Sequence, residues 1–218
     1  MAAVWMTTGI RALVFDFDGT LARQTLDFAV MRRAAVVAME AFIAVPDRPE
    51  LPTMELLALV GGQTWAARRA TRAALDAVRR VEVEAAAQSA LFPFVRPMLT
   101  SLKKRGLVMA VVTRNCPEAV RTVFPDIDSH SLLFTRDDVE NVKPHPEHLC
   151  RALAALRVVP QQALMIGDHP MDIIVGKRAG AGTAGVATGE HTEEALRAYD
   201  PDFLAPDGDS LMRELEIL

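Results

Sequence analysis

Three apolar runs and one proline-bounded loop in this chain stop at residues able to do chemistry. Ala12 to Phe15 runs into Asp16-Phe17-Asp18-Gly19-Thr20, and Leu107 to Val112 into Thr113-Arg114-Asn115. Ala163 to Ile166 ends at Gly167-Asp168-His169-Pro170-Met171-Asp172, and the loop carries Val142-Lys143-Pro144. Asp16 and Asp18 sit close enough to repel, and a hard, oxygen-seeking cation such as Mg²⁺ relieves that repulsion. Gly19 lets the backbone turn at once, so both acids sit on a loop instead of continuing a strand. The Thr113 hydroxyl and the N–H groups after it suit an anion. Lys143, ahead of a proline-started helix, is a point charge suited to phosphate. Asp172 falls on the first turn of the next helix and points back toward Asp168.

Each feature has a plainer reading. Asp-x-Asp-Gly is a common turn sequence, most lysines lie on the surface, and a threonine at a strand end is unremarkable. It is their joint occurrence at successive strand ends that points to a site. A calcium EF-hand is excluded, because the twelfth position from Asp16 holds Asp27 where a glutamate is required. His145 and His148 lie three apart on the expected helix after Lys143, but nothing nearby completes a nitrogen or sulfur metal site.

These residues need a scaffold that gathers strand ends. Short apolar runs ending in polar and glycine residues are the pattern of parallel strands buried on both faces, and such sheets bind ligands beyond their carboxyl ends. The pattern predicts an α/β core built from residues 1–21 and 93–218. Further strands are expected at Leu132–Thr135, Thr183–Ala187 and Phe203–Leu204, with helices at Pro93–Arg105, up to Leu156, and at Leu211–Leu218. Between Leu21 and Leu91 no strand pattern occurs. Thr25–Ala44 carries an apolar stripe, Val45–Pro52 is a breaker, Thr53–Val60 is a short helix stopped by Gly61-Gly62, and Gln63–Leu91 is a long helical segment. Residues 22–92 therefore read as an inserted all-helical, lid-like unit. Its arginines, Arg68, Arg69, Arg72, Arg79 and Arg80, read as a solvated face.

The 218 residues are half apolar, with a formal net charge of −4. No basic run suggests a nucleic-acid surface, and no charge-free window reaches a membrane-spanning length. Met1–Ile10 lacks a charged segment followed by an apolar one, and Cys116 and Cys150 are too few and scattered for a disulfide framework. A cytoplasmic protein without nucleic-acid or membrane partners is expected; oligomeric state is not encoded legibly. No internal repeat or low-complexity linker occurs.

As a set, Asp16-Phe17-Asp18-Gly19-Thr20, Thr113, Lys143-Pro144, and Gly167-Asp168 with Asp172 resemble the four motifs of the haloacid dehalogenase (HAD) superfamily, in order and at fitting distances. The resemblance runs from Arg11 to Val186, and the helical insertion is similar to that family's C1-type cap by placement and helicity. It implies a Rossmann-like sheet, Mg²⁺ dependence and hydrolysis of a small phosphorylated metabolite, such as phosphoglycolate or a sugar phosphate, through an aspartyl-phosphate. Under it, Asp16 is the nucleophile and Asp18 the acid and base. Asp16, Asp168 and the Asp18 carbonyl hold the metal, while Thr113, Arg114 and Lys143 bind phosphate and Asp172 supports them. Gly62, Gln63 and Arg23 are nominated for substrate choice. An acid at Asp18 argues for phosphoryl over halide chemistry. A phosphosugar mutase and a non-catalytic binding protein of the same fold are the alternatives. Two departures from the pattern are His169, where a small hydroxyl residue is usual, and Phe94, where glycine is usual.

Overall fold

The computed structural model describes residues 9–217. The reading of Met1–Ile10 as lacking a leader lies, apart from Gly9 and Ile10, outside the described residues, as does Leu218. The chain divides into two compact units, residues 1–24 with 89–218 and residues 25–88. It begins with strand β1 (Ala12–Phe15) and then leaves for the helical unit, α1 (Phe28–Glu40), α2 (Thr53–Val60) and α3 (Trp65–Ala86). It returns through α4 (Val95–Lys104), β2 (Val108–Val112), α5 (Pro117–Val123), β3 (Leu132–Phe134), α6 (Glu147–Leu156), β4 (Ala163–Gly167) and α7 (Pro170–Ala179). β5 (Gly182–Val186), α8 (Glu193–Arg197), β6 (Phe203–Ala205) and α9 (Gly208–Glu214) complete it.

The six strands form one parallel sheet in the order β3-β2-β1-β4-β5-β6. All four residues of β1 are fully buried, as its uninterrupted apolar sequence requires of a central strand. Successive side chains go to opposite faces. Leu13 and Phe15 join Met109, Val111, Leu164 and Ile166 in one core, closed by Val95, Met98, Leu99 and Leu102 of α4. Ala12 and Val14 join Ala110, Val112, Ala163 and Met165 in the other, closed by Leu149, Ala152 and Leu153 of α6 and Val175 of α7. The chain runs outward from β1 to β3, then crosses back to β4. The strand order therefore reverses between β1 and β4, the place where such sheets open a crevice for ligands.

In the helical unit, Met31, Ala35 and Met39 of α1 pack with Leu56 and Leu57 of α2 and Ala70, Ala74 and Val78 of α3. Caps set its helix ends. The Asp27 carboxylate accepts from the N–H groups of Ala29 and Val30, so α1 starts at Phe28 and not at Thr25. Phe42 and Ile43 both donate to the Met39 carbonyl, closing α1 before Ala44. Thr64 caps α3 through the Ala67 N–H, so Gln63 stays outside it.

Where the chain leaves and re-enters the core, Ala22 and Leu91 form an antiparallel bridge. The Arg23 N–H donates to the Ala90 carbonyl, the Phe92 N–H to the Leu21 carbonyl, and the Ser89 hydroxyl to the Arg23 carbonyl. This pairing ties Arg23, expected in the insertion, into the core unit. Among the described residues no helix is long and apolar enough to cross a membrane.

Candidate active site

The carboxyl ends of β1, β2 and β4 and the loop before α6 converge at the point where the strand order reverses. Asp16 continues the pairing of β1 by donating its N–H to the Ile166 carbonyl, which fixes its position beside β4. Its Oδ1 accepts from Lys143 Nζ at 2.6 Å, and the same ammonium donates to Asp172 Oδ1 at 2.7 Å. Asp172 is on the first turn of α7, and its Oδ2 accepts from the His169 N–H. Asp168, the first residue after β4, accepts from the Thr20 hydroxyl at 3.0 Å. Asp16, Asp168 and Asp172 can each present an oxygen within 4.8 Å of the others.

Thr113 directly follows β2 and is buried, with its N–H donating to the Phe134 carbonyl and its Oγ1 accepting from the Asn115 N–H. The Arg114 guanidinium reaches Met171 Sδ on α7 at 3.5 Å. Asp18 is tied to the same loop, its Oδ2 accepting from Asn115 Nδ2 at 3.0 Å. The structure thus brings Asp16, Asp18, Thr113, Arg114, Lys143, Asp168 and Asp172 to one rim. Gly62 and Gln63 are exposed on the connector between α2 and α3 in the helical unit, and Arg23 is exposed at the edge of the core unit.

Electrostatics sharpen this arrangement. Lys143 is 2 % exposed; burial pulls its pKa down, but the Asp16 and Asp172 carboxylates outweigh burial and hold it above the ordinary lysine value. Burial pushes the Asp168 carboxyl well up, and the charges of Asp16 and Asp172 add to the effect. Asp172 is also raised by burial, against the opposing pull of Lys143. Three gathered carboxylates against one ammonium leave an excess negative charge of the size that a divalent cation cancels. The donor set is all oxygen, which suits Mg²⁺.

Two glycines are required by close approach to Asp168. Gly19 has φ +79°, and a Cβ there would stand 2.4 Å from an Asp168 carboxylate oxygen. Gly189, in the loop after β5, would place a Cβ 1.8 Å from the same group. The neighbouring Thr188 hydroxyl donates to the Gly19 carbonyl at 2.6 Å, clamping the turn that carries Asp18. Thr188, Gly189 and the side-chain role of Asn115 are not read from the sequence. The first two were findable, because the rule applied to β1, β2 and β4 also selects the end of β5, but that end carries no acid to draw notice.

His169 replaces the usual small hydroxyl residue in kind. Its Nδ1 accepts from the Met171 N–H and caps α7, and burial, with the nearby His191 ring, holds its pKa down at about 4, so the ring stays neutral. Phe94 stacks on Phe92 with ring centroids 5.7 Å apart. His145 and His148 do not share a helix, as the sequence suggests. His145 precedes α6 and its Nδ1 accepts from the Glu147 N–H, whereas His148 is buried with Nε2 donating to the Phe134 carbonyl.

A family model for haloacid dehalogenase-like hydrolases matches residues 10–180. The chain belongs to that family. Among curated proteins, it is 40% identical over 107 residues to the pyrophosphatase PpaX of Anoxybacillus flavithermus, covering 48% of this chain and 50% of that protein. It is 42% identical over 106 residues to PpaX of Bacillus cereus, covering 47% and 49%. The match thus spans about half the length of these relatives. Among solved structures, a hydrolase from Pseudomonas syringae superposes with a TM-score of 0.71 at 20% identity, over 94% of this chain and 98% of that one. CbbY from Rhodobacter sphaeroides, solved in complex with phosphate, gives 0.61 at 23% identity, over 92% and 94%. These structural likenesses establish the HAD-like, Rossmann-type fold.

Proposed function

We propose that this HAD-like hydrolase is a Mg²⁺-dependent phosphatase that cleaves a small phosphomonoester through an aspartyl-phosphate on Asp16. The observation that carries the reading is the buried chain Asp16–Lys143–Asp172 set against Asp168, with Asp18 two residues beyond the nucleophile position. Asp16 and Asp168, with the Asp18 carbonyl, would hold Mg²⁺, and Asp172 would support them; the ion supplies positive charge that lets one anion attack another.

Asp16 attacks phosphorus as the bond to the leaving oxygen breaks, and Asp18 gives that oxygen a proton. Asp18 then takes a proton from the water that attacks the aspartyl-phosphate, releasing phosphate and restoring Asp16. Lys143, steadied by Asp172, keeps a positive charge against the attacking carboxylate, and the Thr113–Arg114 loop offers a hydroxyl and N–H groups to the phosphoryl oxygens. Gly62, Gln63 and Arg23 are the residues to which the reading assigns substrate choice. It places the enzyme in the cytoplasm, supported by two cysteines that are not joined by a disulfide.

A second reading, with pyrophosphate as substrate, is favoured by the names of the PpaX relatives. A screen of phosphoglycolate, sugar phosphates and pyrophosphate with Mg²⁺, beside Asp16→Asn, tests both. Phosphate release is expected to require Mg²⁺ and to fall by at least about 10³-fold in the variant. Undiminished release would remove Asp16 from its role, and an isomerised phosphosugar as product would mark a mutase.

A further inference from the structure

Asn115 makes two side-chain hydrogen bonds that the mechanism above does not use. Its Oδ1 accepts from the Cys116 N–H at 2.8 Å, and its Nδ2 donates to Asp18 Oδ2 at 3.0 Å. The first bond decides the second, because an amide whose oxygen faces a backbone N–H has only its NH₂ side to turn toward Asp18. Asn115 is itself held firmly. It is 8 % exposed, its own N–H donates to Thr113 Oγ1, and buried Arg136 braces the loop by donating Nη1 to the Arg114 carbonyl at 3.0 Å. Asp18, by contrast, is only half-buried on the turn made by Gly19.

We infer that Asn115 is a positioning residue that aims the Asp18 carboxyl at the leaving oxygen. The inference rests on the acid role proposed for Asp18. With Oδ2 held by the Nδ2 donor, the Asp18 carboxyl is kept in one orientation on its turn. In the step, the phosphorus to leaving-oxygen bond breaks, Asp16 becomes phosphorylated, the carboxyl proton of Asp18 passes to the leaving oxygen, and Asp18 is left as a carboxylate. In the transfer to Asp16, a misaimed Asp18 therefore harms esters whose leaving oxygen needs the proton and spares those that depart readily as anions.

The test measures kcat and KM with Mg²⁺ for phenyl phosphate and p-nitrophenyl phosphate, similar in size but unlike in leaving ability. The proteins compared are the native one, Asp18→Asn, Asn115→Asp and Asn115→Ser. Asn115→Asp keeps an oxygen for the Cys116 N–H but sets a carboxylate against Asp18. It is expected to lower kcat/KM, which reports transfer to Asp16 and not the later hydrolysis common to both esters, by about 10²-fold on phenyl phosphate and less than about 5-fold on p-nitrophenyl phosphate. Asn115→Ser, which removes the donor without adding charge, should show the same selectivity if the first variant fails to fold. Equal losses of kcat/KM on both esters, or no loss on either, would overturn the inference while leaving the proposed function intact. Absence of ester selectivity in kcat/KM for Asp18→Asn would instead remove the acid role itself, and the inference with it.

Discussion

In the core unit, Asp16, Lys143, Asp168 and Asp172 are buried within reach of one another, whereas the helical unit buries only Thr53 and Glu82 among its polar side chains. The helical unit instead packs alanine, methionine and leucine. One region concentrates charge at some expense to its own stability, relieved by a single ammonium; the other is held by apolar contact. The two should therefore respond differently to substitution, to acid and to metal.

The largest effect is expected at Lys143. Lys143→Met leaves Asp16 and Asp172 without their shared cation and should destabilise the metal-free protein by about 3–5 kcal/mol, read from urea unfolding at neutral pH. A loss below about 1 kcal/mol would mean that the ion pairs do not hold the rim. In the helical unit, Met39→Ala empties a fully buried position and should cost about 3 kcal/mol. The contrast sharpens if that variant keeps the full thermal shift on adding Mg²⁺, and breaks if the shift shrinks.

Acid should also act on the core. Burial, with Lys143 adding its charge, holds the His148 pKa down at about 4 from an ordinary 6.5. Between these values the unfolded chain binds a proton that the folded chain refuses. This contribution to stability is complete above about pH 6.5 and falls by up to about 3 kcal/mol as pH drops through 4. His148→Gln should flatten the slope of stability in that window, and an unchanged slope would remove His148 as its source. Smallest is the metal effect. Mg²⁺ at about one hundred times its Kd should stabilise the native protein by about 2.7 kcal/mol, and Asp168→Asn should lose that gain while melting higher than native without metal. A variant that melts lower without metal would show that Asp168 is not under repulsive strain.

The sheet was legible in the sequence because its central strands are buried on both faces and so read as unbroken apolar runs. The gathering of Asp16, Lys143, Asp168 and Asp172 was legible for the same reason, since parallel strands deliver their ends to one side. Helix limits moved by two or three residues where Asp27 and Thr64 act as caps, a choice that propensity alone does not make. Asn115 escaped notice because an asparagine after a strand is an ordinary turn residue until its amide finds Asp18. Gly189 escaped because its need for a missing side chain arises only when the loop after β5 folds over Asp168. The capping by His169 depends on a ring nitrogen doing the work of a hydroxyl, which residue type does not announce.

The bridge between Ala22 and Leu91 bears on how such a chain can change over time. Because the outgoing and returning segments are zipped together, the excursion between them opens and closes at one seam. A short turn joining Gln24 to Ser89 would remove residues 25–88 without disturbing β1 or α4. The insertion can thus be removed or exchanged at that single seam, and Asp16, Asp18, Asp168 and Asp172 all lie in the unit that remains.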